Sequence, residues 1–209
     1  MISVLKKKVN DLVINELLKS NNLDYFRANI FYVNYKGKEL YSFPFFNSSN
    51  EITKHIIIHH NFRKIIHQNQ DKNSFWLIKS KVKYPKYLII SDKPENIIKY
   101  VSDKNYFFKK TTYMCYVPSN FNNKSFDYLN QNFKYERVLT VFSNSIMKDF
   151  FKLKTTFLIN EEIVYISIIK NGYLIDYKSL KFEVENVDYA YLRRRLKLKL
   201  KVPILHKKH

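Results

Sequence analysis

The chain has 209 residues, 45% hydrophobic and 17% aromatic, and its 37 lysines and arginines against 18 acids give a net charge of +19. This length allows one substantial core, or a core with a small appended domain, and the apolar content argues against a disordered basic tail. Such a charge excess repels itself unless a polyanion neutralises it, so we expect salt-dependent contact with phosphate backbones. An AT-rich genome would also enrich lysine, but it does not explain the shortage of acids.

Glycine and cysteine are both scarce. The two glycines, Gly37 and Gly172, are too few for a phosphate-binding loop of the P-loop or dinucleotide type. The single cysteine, Cys115, rules out an intrachain disulfide, and its apolar surroundings predict a small buried hydrophobe rather than a nucleophile. Three lysines follow Met1–Leu5 at once, and no apolar run is long enough to span a membrane. We therefore expect a cytoplasmic protein without membrane contact.

Residues 1–84 are predicted to form a helix followed by an antiparallel lead-in. From Ile2 to Leu18, apolar residues recur at helical spacing, which predicts an amphipathic helix that packs on the core rather than on a partner. Ile30 to Tyr35 and Glu39 to Phe46 flank Lys36-Gly37-Lys38, a pattern typical of a hairpin. Lys54 to His60 is apolar and β-branched, which predicts a third strand of this small sheet.

The stretch from Asn61 to Lys86 is polar and basic and is predicted to be a connection. We expect its rings, Phe75 and Trp76, to close an edge of the core. We expect its cations to contact nucleic acid, since basic residues interleaved with aromatic ones suit phosphates and exposed bases. The candidate ligands here are Arg63, Lys64, Lys79, Lys81 and Lys83.

Four histidines lie close together in the sequence: His55, His59, His60 and His67. His55 and His59 would share one face of a helix, as zinc ligands often do, but the three isoleucines between them favour a strand, which spaces them farther apart. No glutamate lies between them, so the zinc-peptidase pattern is absent. We expect no metal and no cofactor here, with the histidines at the surface or facing phosphate. His206 and His209 are assigned to a basic tail.

Residues 85–160 carry three cycles of apolar strand followed by helix. The predicted strands are Lys86–Ile90, Thr112–Val117 and Arg137–Phe142. The helices are predicted to begin at Pro94, to cover Phe126–Asn130, and to carry Ile146, Met147, Phe150 and Phe151. Short apolar strands alternating with helices favour parallel pairing, because parallel strands need long crossovers. The predicted class is α/β (α+β overall), a central parallel sheet with helices, preceded and followed by antiparallel hairpins.

These residues resemble the entry to a Toprim domain. The resemblance is carried by Phe75-Trp76 and by Tyr87-Leu88-Ile89-Ile90-Ser91-Asp92-Lys93-Pro94, and Leu139 to Asn144 falls where that family has a strand ending in Asp-x-Asp. The resemblance covers roughly residues 30 to 160. More narrowly, this stretch is similar to the Toprim-like proteins of mobile elements in Bacteroidetes-type bacteria. The resemblance implies a parallel sheet whose acidic residues hold magnesium for phosphoryl transfer.

The chain departs from that family at the acidic cluster. Asp92 takes the first position, Glu95 follows one helical turn later, and the third strand ends in Ser143-Asn144-Ser145 without a carboxylate. Magnesium requires hard oxygen ligands, and one acid is too few for a two-metal site. We therefore expect a non-catalytic copy without catalytic residues. The alternative is an active Toprim nuclease, primase or nicking enzyme in which Asp92, Glu95 and a displaced acid, Asp127 or Asp149, hold the metal.

Residues 161–188 are predicted to form a hairpin extension. Ile163–Ile169 and Tyr173–Tyr177 flank Asn171-Gly172, the preferred residues of a type I′ turn. We expect this hairpin to extend the sheet or to present an edge to a second copy, so a homodimer is a hypothesis.

Residues 189–209 form a basic arm that contains no acid. Leucines alternate with lysines from Leu196 to Val202, which predicts a strand with one apolar and one cationic face; alternatively, Tyr189 to Leu192 could open a helix. In either case the apolar side needs a surface to pack on. The candidate nucleic-acid ligands here are Arg193, Arg194, Arg195, Lys197, Lys199 and Lys201.

Together these features predict a non-catalytic, nucleic-acid-binding accessory subunit of a larger nucleoprotein machine, with DNA rather than RNA as the partner. The candidate machines are a mobile-element relaxation complex and a CRISPR-type effector complex. A third possibility, neither an enzyme nor a nucleic-acid binder, is a protein-binding scaffold. The excess of positive charge disfavours it.

Overall fold

The computed structural model describes residues 3–5, 30–35, 38–59, 62–67, 72–78, 84–104, 111–143 and 147–197. The described strands are β1 Ser3–Leu5, β2 Phe31–Tyr35, β3 Lys38–Phe46, β4 Ile52–His59, β5 Phe62–His67, β6 Phe75–Ile78, β7 Tyr87–Ile90, β8 Tyr113–Pro118, β9 Arg137–Thr140, β10 Tyr165–Ile169, β11 Gly172–Tyr177 and β12 Leu180–Val184. The described helices are α1 Pro94–Asp103, α2 Asn123–Asn132, α3 Met147–Leu158 and α4 Tyr189–Leu196. Strands β1 to β9 form one sheet and β10 to β12 another. Within these ranges no helix is long and apolar enough to cross a bilayer.

The centre of the large sheet is parallel. β7 lies between β8 and β9 and pairs in parallel with both. Its residues Leu88, Ile89 and Ile90 are fully buried because α1 covers one face of the sheet while α2 and the end of α3 cover the other. The predicted α/β class is therefore confirmed, as are the three strand–helix cycles and the start of α1 at Pro94.

Several element boundaries differ from the prediction by a few residues, among them those of α2 and β9. α2 is longer than Phe126–Asn130, because the side chain of Asn122 accepts a hydrogen bond from the backbone N–H of Ser125 (2.9 Å) and caps its first turn. β9 ends at Thr140 rather than at Phe142, although the Val141 N–H still donates to the Ile90 carbonyl (2.9 Å).

The predicted connection over 61–86 is wrong in part, because it contains two strands. β5 pairs antiparallel with β4, and β6 pairs antiparallel with β8 while touching β3 through the Phe46–Phe75 pair. All four side chains of β6 are buried, and Trp76 is among the largest fully buried side chains. The expected burial of Phe75 and Trp76 is confirmed. Their strand, however, is not at an edge of the core: β6 lies between β3 and β8 and joins the antiparallel lead-in to the parallel strands.

The lead-in is confirmed as a hairpin with a third strand: β2 pairs antiparallel with β3, and β3 with β4. The helix predicted over Ile2–Leu18 is wrong at its start, since Ser3–Leu5 is strand β1 and pairs antiparallel with β2. Apolar residues at helical spacing do not exclude a strand where a sheet edge offers backbone partners. Residues 6–18 lie outside the described part of the chain.

The hairpin after the core is confirmed, but it does not extend the large sheet. It joins β12, a strand the sequence reasoning missed, in a separate antiparallel sheet of order β10-β11-β12. One face of this sheet packs on α3 and α4 through a third core cluster that includes Phe157, Ile175 and Leu192. The apolar side of α4, at the start of the basic arm, therefore packs on this small sheet through Leu192 and Leu196.

The turn of that hairpin is also not the predicted one. Ile169 pairs with Gly172, so the two turn residues are Lys170 and Asn171. A type I′ turn requires positive φ at both, and neither has it, whereas Gly172 does, at 147°. A Cβ on Gly172 would clash with the Val184 carbonyl oxygen and lie 2.7 Å from the Cα of Glu185, so close approach to the end of β12 explains the glycine.

Candidate functional site

Asp92 is held at the carboxyl edge of the parallel strands by the residue before it. Ser91, directly after β7, is fully buried, and its N–H donates to the Tyr116 carbonyl of β8 (3.1 Å). Its hydroxyl donates to the carbonyl of Val141, just beyond β9. Ser91 thus links the ends of three parallel strands and fixes the backbone position of the next residue, Asp92.

The Asp92 carboxylate accepts hydrogen bonds from uncharged groups on three sides. Ser143 donates its backbone N–H to Oδ1 (3.1 Å) and its hydroxyl to Oδ2 (2.8 Å). Asn96, one turn into α1, donates its side-chain amide to Oδ1 (3.0 Å) and to the Ser143 hydroxyl oxygen (3.0 Å). The hydroxyl of Ser91 adds a longer contact to Oδ1 (3.3 Å). We call Asp92, Asn96 and Ser143 the Asp92 lock.

In this arrangement the Asp92 carboxylate is engaged by hydrogen-bond donors rather than by a cation-binding set of oxygens. Magnesium needs several hard oxygen ligands and gives up its waters reluctantly, whereas the oxygens of Asp92 face donors that would repel a cation. Asp149 forms an ion pair with Lys152 (2.8 Å), and Asp127 is exposed on α2. Across the described residues, no three His, Cys, Asp or Glu side chains are placed to share a metal ion. Neither Asp127 nor Asp149 therefore forms such a group with Asp92 and Glu95 in the described residues, and the enzyme alternative stays a prediction.

The candidate cations of the basic arm are partly described. Arg193, Arg194 and Arg195 lie on α4 and are exposed, while Leu192 and Leu196 of the same helix are buried. The Arg195 guanidinium lies 5.7 Å from the ring centroid of Phe182, which holds it against β12. The arm therefore begins as a helix, the second of the two predicted conformations.

The start of α4 is fixed by its cap. The side chain of Asp188 accepts hydrogen bonds from the backbone N–H groups of Ala190 (2.8 Å) and Tyr191 (3.1 Å). An aspartate at this position satisfies donors that the first turn of a helix leaves unpaired. The helix that carries the three arginines is therefore specified by its own sequence as well as by packing.

The other candidate cations are less fully placed. Lys197 follows α4, is exposed and has a φ of 52°. Arg63 and Lys64 lie on β5 opposite Ile58 and Ile57 of β4, but their side chains are outside the described part. The remaining candidates lie entirely outside it: Lys79, Lys81, Lys83, Lys199 and Lys201. The contact of all these cations with nucleic acid stays a prediction.

The expectation that the histidines face solvent or phosphate is wrong for His55. His55 is buried on β4, which pairs with β3 and β5, and its Nδ1 lies 2.6 Å from the hydroxyl oxygen of Ser42. Burial lowers the pKa of this imidazole, because the charged form loses its hydration. His59 and His67 lie on β4 and β5, and His60 lies outside the described residues.

Cys115 is a buried, free thiol in β8, as predicted. Burial raises its pKa well above the usual value, which disfavours the reactive thiolate. Burial likewise raises the pKa of Tyr116, whose hydroxyl donates to the Ser125 carbonyl inside the core. Both groups therefore serve packing.

Sequence reasoning missed a group of phenylalanines near the Asp92 lock. Phe121, Phe142 and Phe151 form a triangle, with ring centroids 4.5 Å apart for Phe121–Phe151 and 5.7 Å apart for each of the other pairs. Phe150 lies beside Phe151 at 5.8 Å. We call these four rings the aromatic cluster. One signal in the sequence could have indicated this cluster: Phe142 ends a predicted central strand and comes directly before Ser143.

Comparison with known proteins gives weak likenesses only. No protein-family model matches the chain, and no curated protein matches it. The primase fragment of the bacteriophage T7 primase-helicase protein superposes with a TM-score of 0.47 at 7% identity, over 69% of this chain and 56% of that one. The chain thus spans a little over half of that fragment's length.

A second solved structure gives the same level of similarity. It contains bacteriophage T7 lagging-strand DNA polymerase with primase domains of two gp4 subunits, bound to an RNA/DNA hybrid and dTTP. The match has a TM-score of 0.47 at 6% identity and covers 94% of this chain and 88% of that one. Similarity this low assigns no activity, and the α/β class rests on the strand pairing itself.

Proposed function

We propose that this protein is a non-catalytic, nucleic-acid-binding accessory subunit that contacts phosphate backbones through α4 and the basic arm. The observation that carries the proposal is the row Arg193-Arg194-Arg195, exposed on a helix whose leucines are anchored in a core cluster. Anchoring reduces the entropy cost when the guanidinium groups meet phosphates, and arginine pairs with phosphate in a bidentate geometry. From residue 189 to 209 the sequence has eight lysines and arginines and no acid, so this segment carries a high density of positive charge.

The simplest structural alternative is that these arginines stabilise the helix dipole. Cations in the last turn do so by about 0.3–1 kcal/mol at exposed sites. That effect needs only one or two charges, and it does not account for the four lysines that follow beyond Lys197. Phosphate binding explains both features.

The Asp92 lock supports the non-catalytic half of the proposal. Metal-assisted phosphoryl transfer needs carboxylate oxygens that are available to the ion, and those of Asp92 are engaged by Ser143 and Asn96. The resemblance to Toprim-like proteins of mobile elements supports work within a larger nucleoprotein machine, which we propose to be a mobile-element complex or a CRISPR-type effector complex. Identifying the genes beside this one would test that choice.

The binding proposal is tested by matched charge removal. Replacing Arg193, Arg194 and Arg195 with glutamine is expected to weaken binding to a labelled DNA duplex about tenfold at moderate salt. The slope of log affinity against log salt should fall by roughly 0.9 for each phosphate that the variant no longer neutralises. The control replaces Lys99, Lys104 and Lys134 with glutamine; these lysines are exposed, and the change removes the same charge.

Three outcomes would contradict parts of the proposal. If both triple variants bind DNA equally weakly, the arginines of α4 have no specific role in binding. Absence of wild-type affinity for DNA and RNA at about 100 mM salt would favour the protein-binding scaffold. Magnesium-dependent cleavage that disappears in Asp92→Ala would restore the enzyme.

We also propose that two copies pair through β10. This strand is an edge of the small sheet, and it exposes Ile163 (65%), Tyr165 (73%) and Ile168 (49%) in and beside it. From Ile163 to Ile169 no residue is charged, so two strongly basic chains could approach there, and the strand lacks the lysine or proline that usually protects an edge.

Sedimentation tests the dimer. The wild type is expected at dimer mass at micromolar concentration, and Ile168→Lys at monomer mass. Leu180→Lys, on the opposite edge strand β12, is the control and should stay dimeric. A wild type at monomer mass throughout would rule the dimer out.

A further inference from the structure

We infer that the aromatic cluster binds an unstacked base of single-stranded nucleic acid. This rests on the proposed nucleic-acid function and adds a second contact, of different chemistry and distant in sequence from α4. The cluster consists of Phe121, Phe142, Phe150 and Phe151, as defined above.

The position of the cluster suits a ligand. Phe121 comes three residues after β8 and Phe142 two residues after β9, so both lie beyond the carboxyl ends of parallel strands. In open parallel sheets, ligands bind in the crevice outside this edge. Ser143 of the Asp92 lock follows Phe142 directly, and its bonds to Asp92 hold the chain there in place.

Phe121 and Phe142 pack against one core cluster and Phe150 against another, but none of the four residues of the aromatic cluster is fully buried. Phe126 and Phe157 are fully buried in the neighbouring core clusters. All four rings of the aromatic cluster keep part of their surface exposed, although they contact one another closely enough to form a continuous apolar surface. The rings meet at tilted or edge-on angles. A partly exposed aromatic ring can stack on a base.

The charges beside the cluster complement a nucleic-acid strand. The Lys154 ammonium lies 5.3 Å from the centroid of Phe150 and donates to the Phe121 carbonyl (3.3 Å), so it bridges two members of the cluster. Lys124 is exposed in the first turn of α2, three residues after Phe121. The nearby acid Asp149 is paired with Lys152, which offsets its repulsion of phosphate. Rings flanked by lysines are the combination that single-strand binders use.

The test compares single-stranded with double-stranded DNA. Phe151→Leu keeps an apolar side chain but removes the ring, and it is expected to weaken binding to a labelled oligothymidylate about fivefold or more, while duplex affinity stays within about twofold. Phe133→Leu is the matched control: this ring is also partly exposed and packs on Tyr128 (5.9 Å) at the other end of α2. Lys154→Gln should weaken binding to the single strand and reduce its salt slope by roughly one.

The outcomes separate this inference from the proposed function. If Phe151→Leu binds oligothymidylate like the wild type, or weakens duplex binding equally, the aromatic cluster is not a base site, while binding through α4 can still stand. If the wild type binds no nucleic acid, both fail. Ultraviolet cross-linking of the wild type to a bromouridine-substituted strand gives a readout that needs no variant: we expect cross-links to peptides containing Phe121 or Phe151, and cross-links confined to other peptides would overturn the inference.

Discussion

Asp92 accepts hydrogen bonds from both the backbone N–H and the hydroxyl of Ser143, which lies 51 residues further along the chain. This relationship ties the end of β7 to the end of β9 and gives the carboxylate a structural partner. The carboxylate thereby completes a hydrogen-bonded lock between two neighbouring strands. The stability of the core should therefore depend on Asp92.

Asp92→Asn is expected to lower the free energy of unfolding by about 1–3 kcal/mol, because an amide N–H₂ would face the donors of Ser143 or Asn96 and leave one of them unsatisfied. Chemical denaturation measures the change. Asp103→Asn, exposed at the end of α1, should stay within about 0.5 kcal/mol of the wild type. Equal effects of the two substitutions would remove the structural role of the lock.

His55 should make the fold sensitive to mild acid. Burial lowers the pKa of this histidine below its ordinary 6.5 in the folded state, so between the folded pKa and 6.5 the unfolded chain binds more protons. This contribution to stability is present above about pH 6.5 and disappears as the pH falls through that window. Urea unfolding at pH 7.5 and 5.5 should show a smaller drop in stability for His55→Gln than for the wild type. Identical drops would mean that His55 is not the group responsible.

Gly172→Ala should destabilise the small sheet. A Cβ would clash with the Val184 carbonyl oxygen at a φ of 147°, so either β11 or β12 must shift. We expect the free energy of unfolding to fall by about 1–3 kcal/mol in thermal or chemical denaturation. Asn171→Ala, at the exposed turn residue before it, should change stability by less than about 0.5 kcal/mol. A tolerated Gly172→Ala would show that the two strands are less closely apposed.

Leu192→Ala should weaken nucleic-acid binding although it removes no charge. Leu192 is fully buried in the third core cluster, and truncation is expected to cost about 2–5 kcal/mol and to loosen α4 from the small sheet. Binding to labelled DNA, measured below the unfolding transition, should fall because the arginines are no longer held in place. Leu192→Met should cost less than about 1.5 kcal/mol and keep the affinity. Unchanged binding by Leu192→Ala would mean that the arginines act as an unanchored charge.

The sequence-based interpretation succeeded where a pattern is local. The run Leu88-Ile89-Ile90 followed by Pro94 predicted strand and helix, because successive buried positions and a proline at a first helical turn are short-range signals. It failed for Phe75–Ile78, where many nearby lysines made a buried strand look like a polar connection. The sequence pattern of the hairpin could not show whether β10 and β11 extend the large sheet or form a separate one. That was decided by β12, which completes the small sheet, and by α4, which packs on it.

The amino-acid sequence by itself determined the α/β class, the hairpins around it, the strongly basic charge and the lack of a second acid after the third central strand, because composition and periodicity act over a few residues. Only the tertiary structure decided what Asp92 bonds to, why His55 is buried, how α4 is anchored beneath its arginines, and that four phenylalanines from three segments meet at one sheet edge. Those features come from contacts between residues tens of positions apart, and the packing of the whole chain selects them.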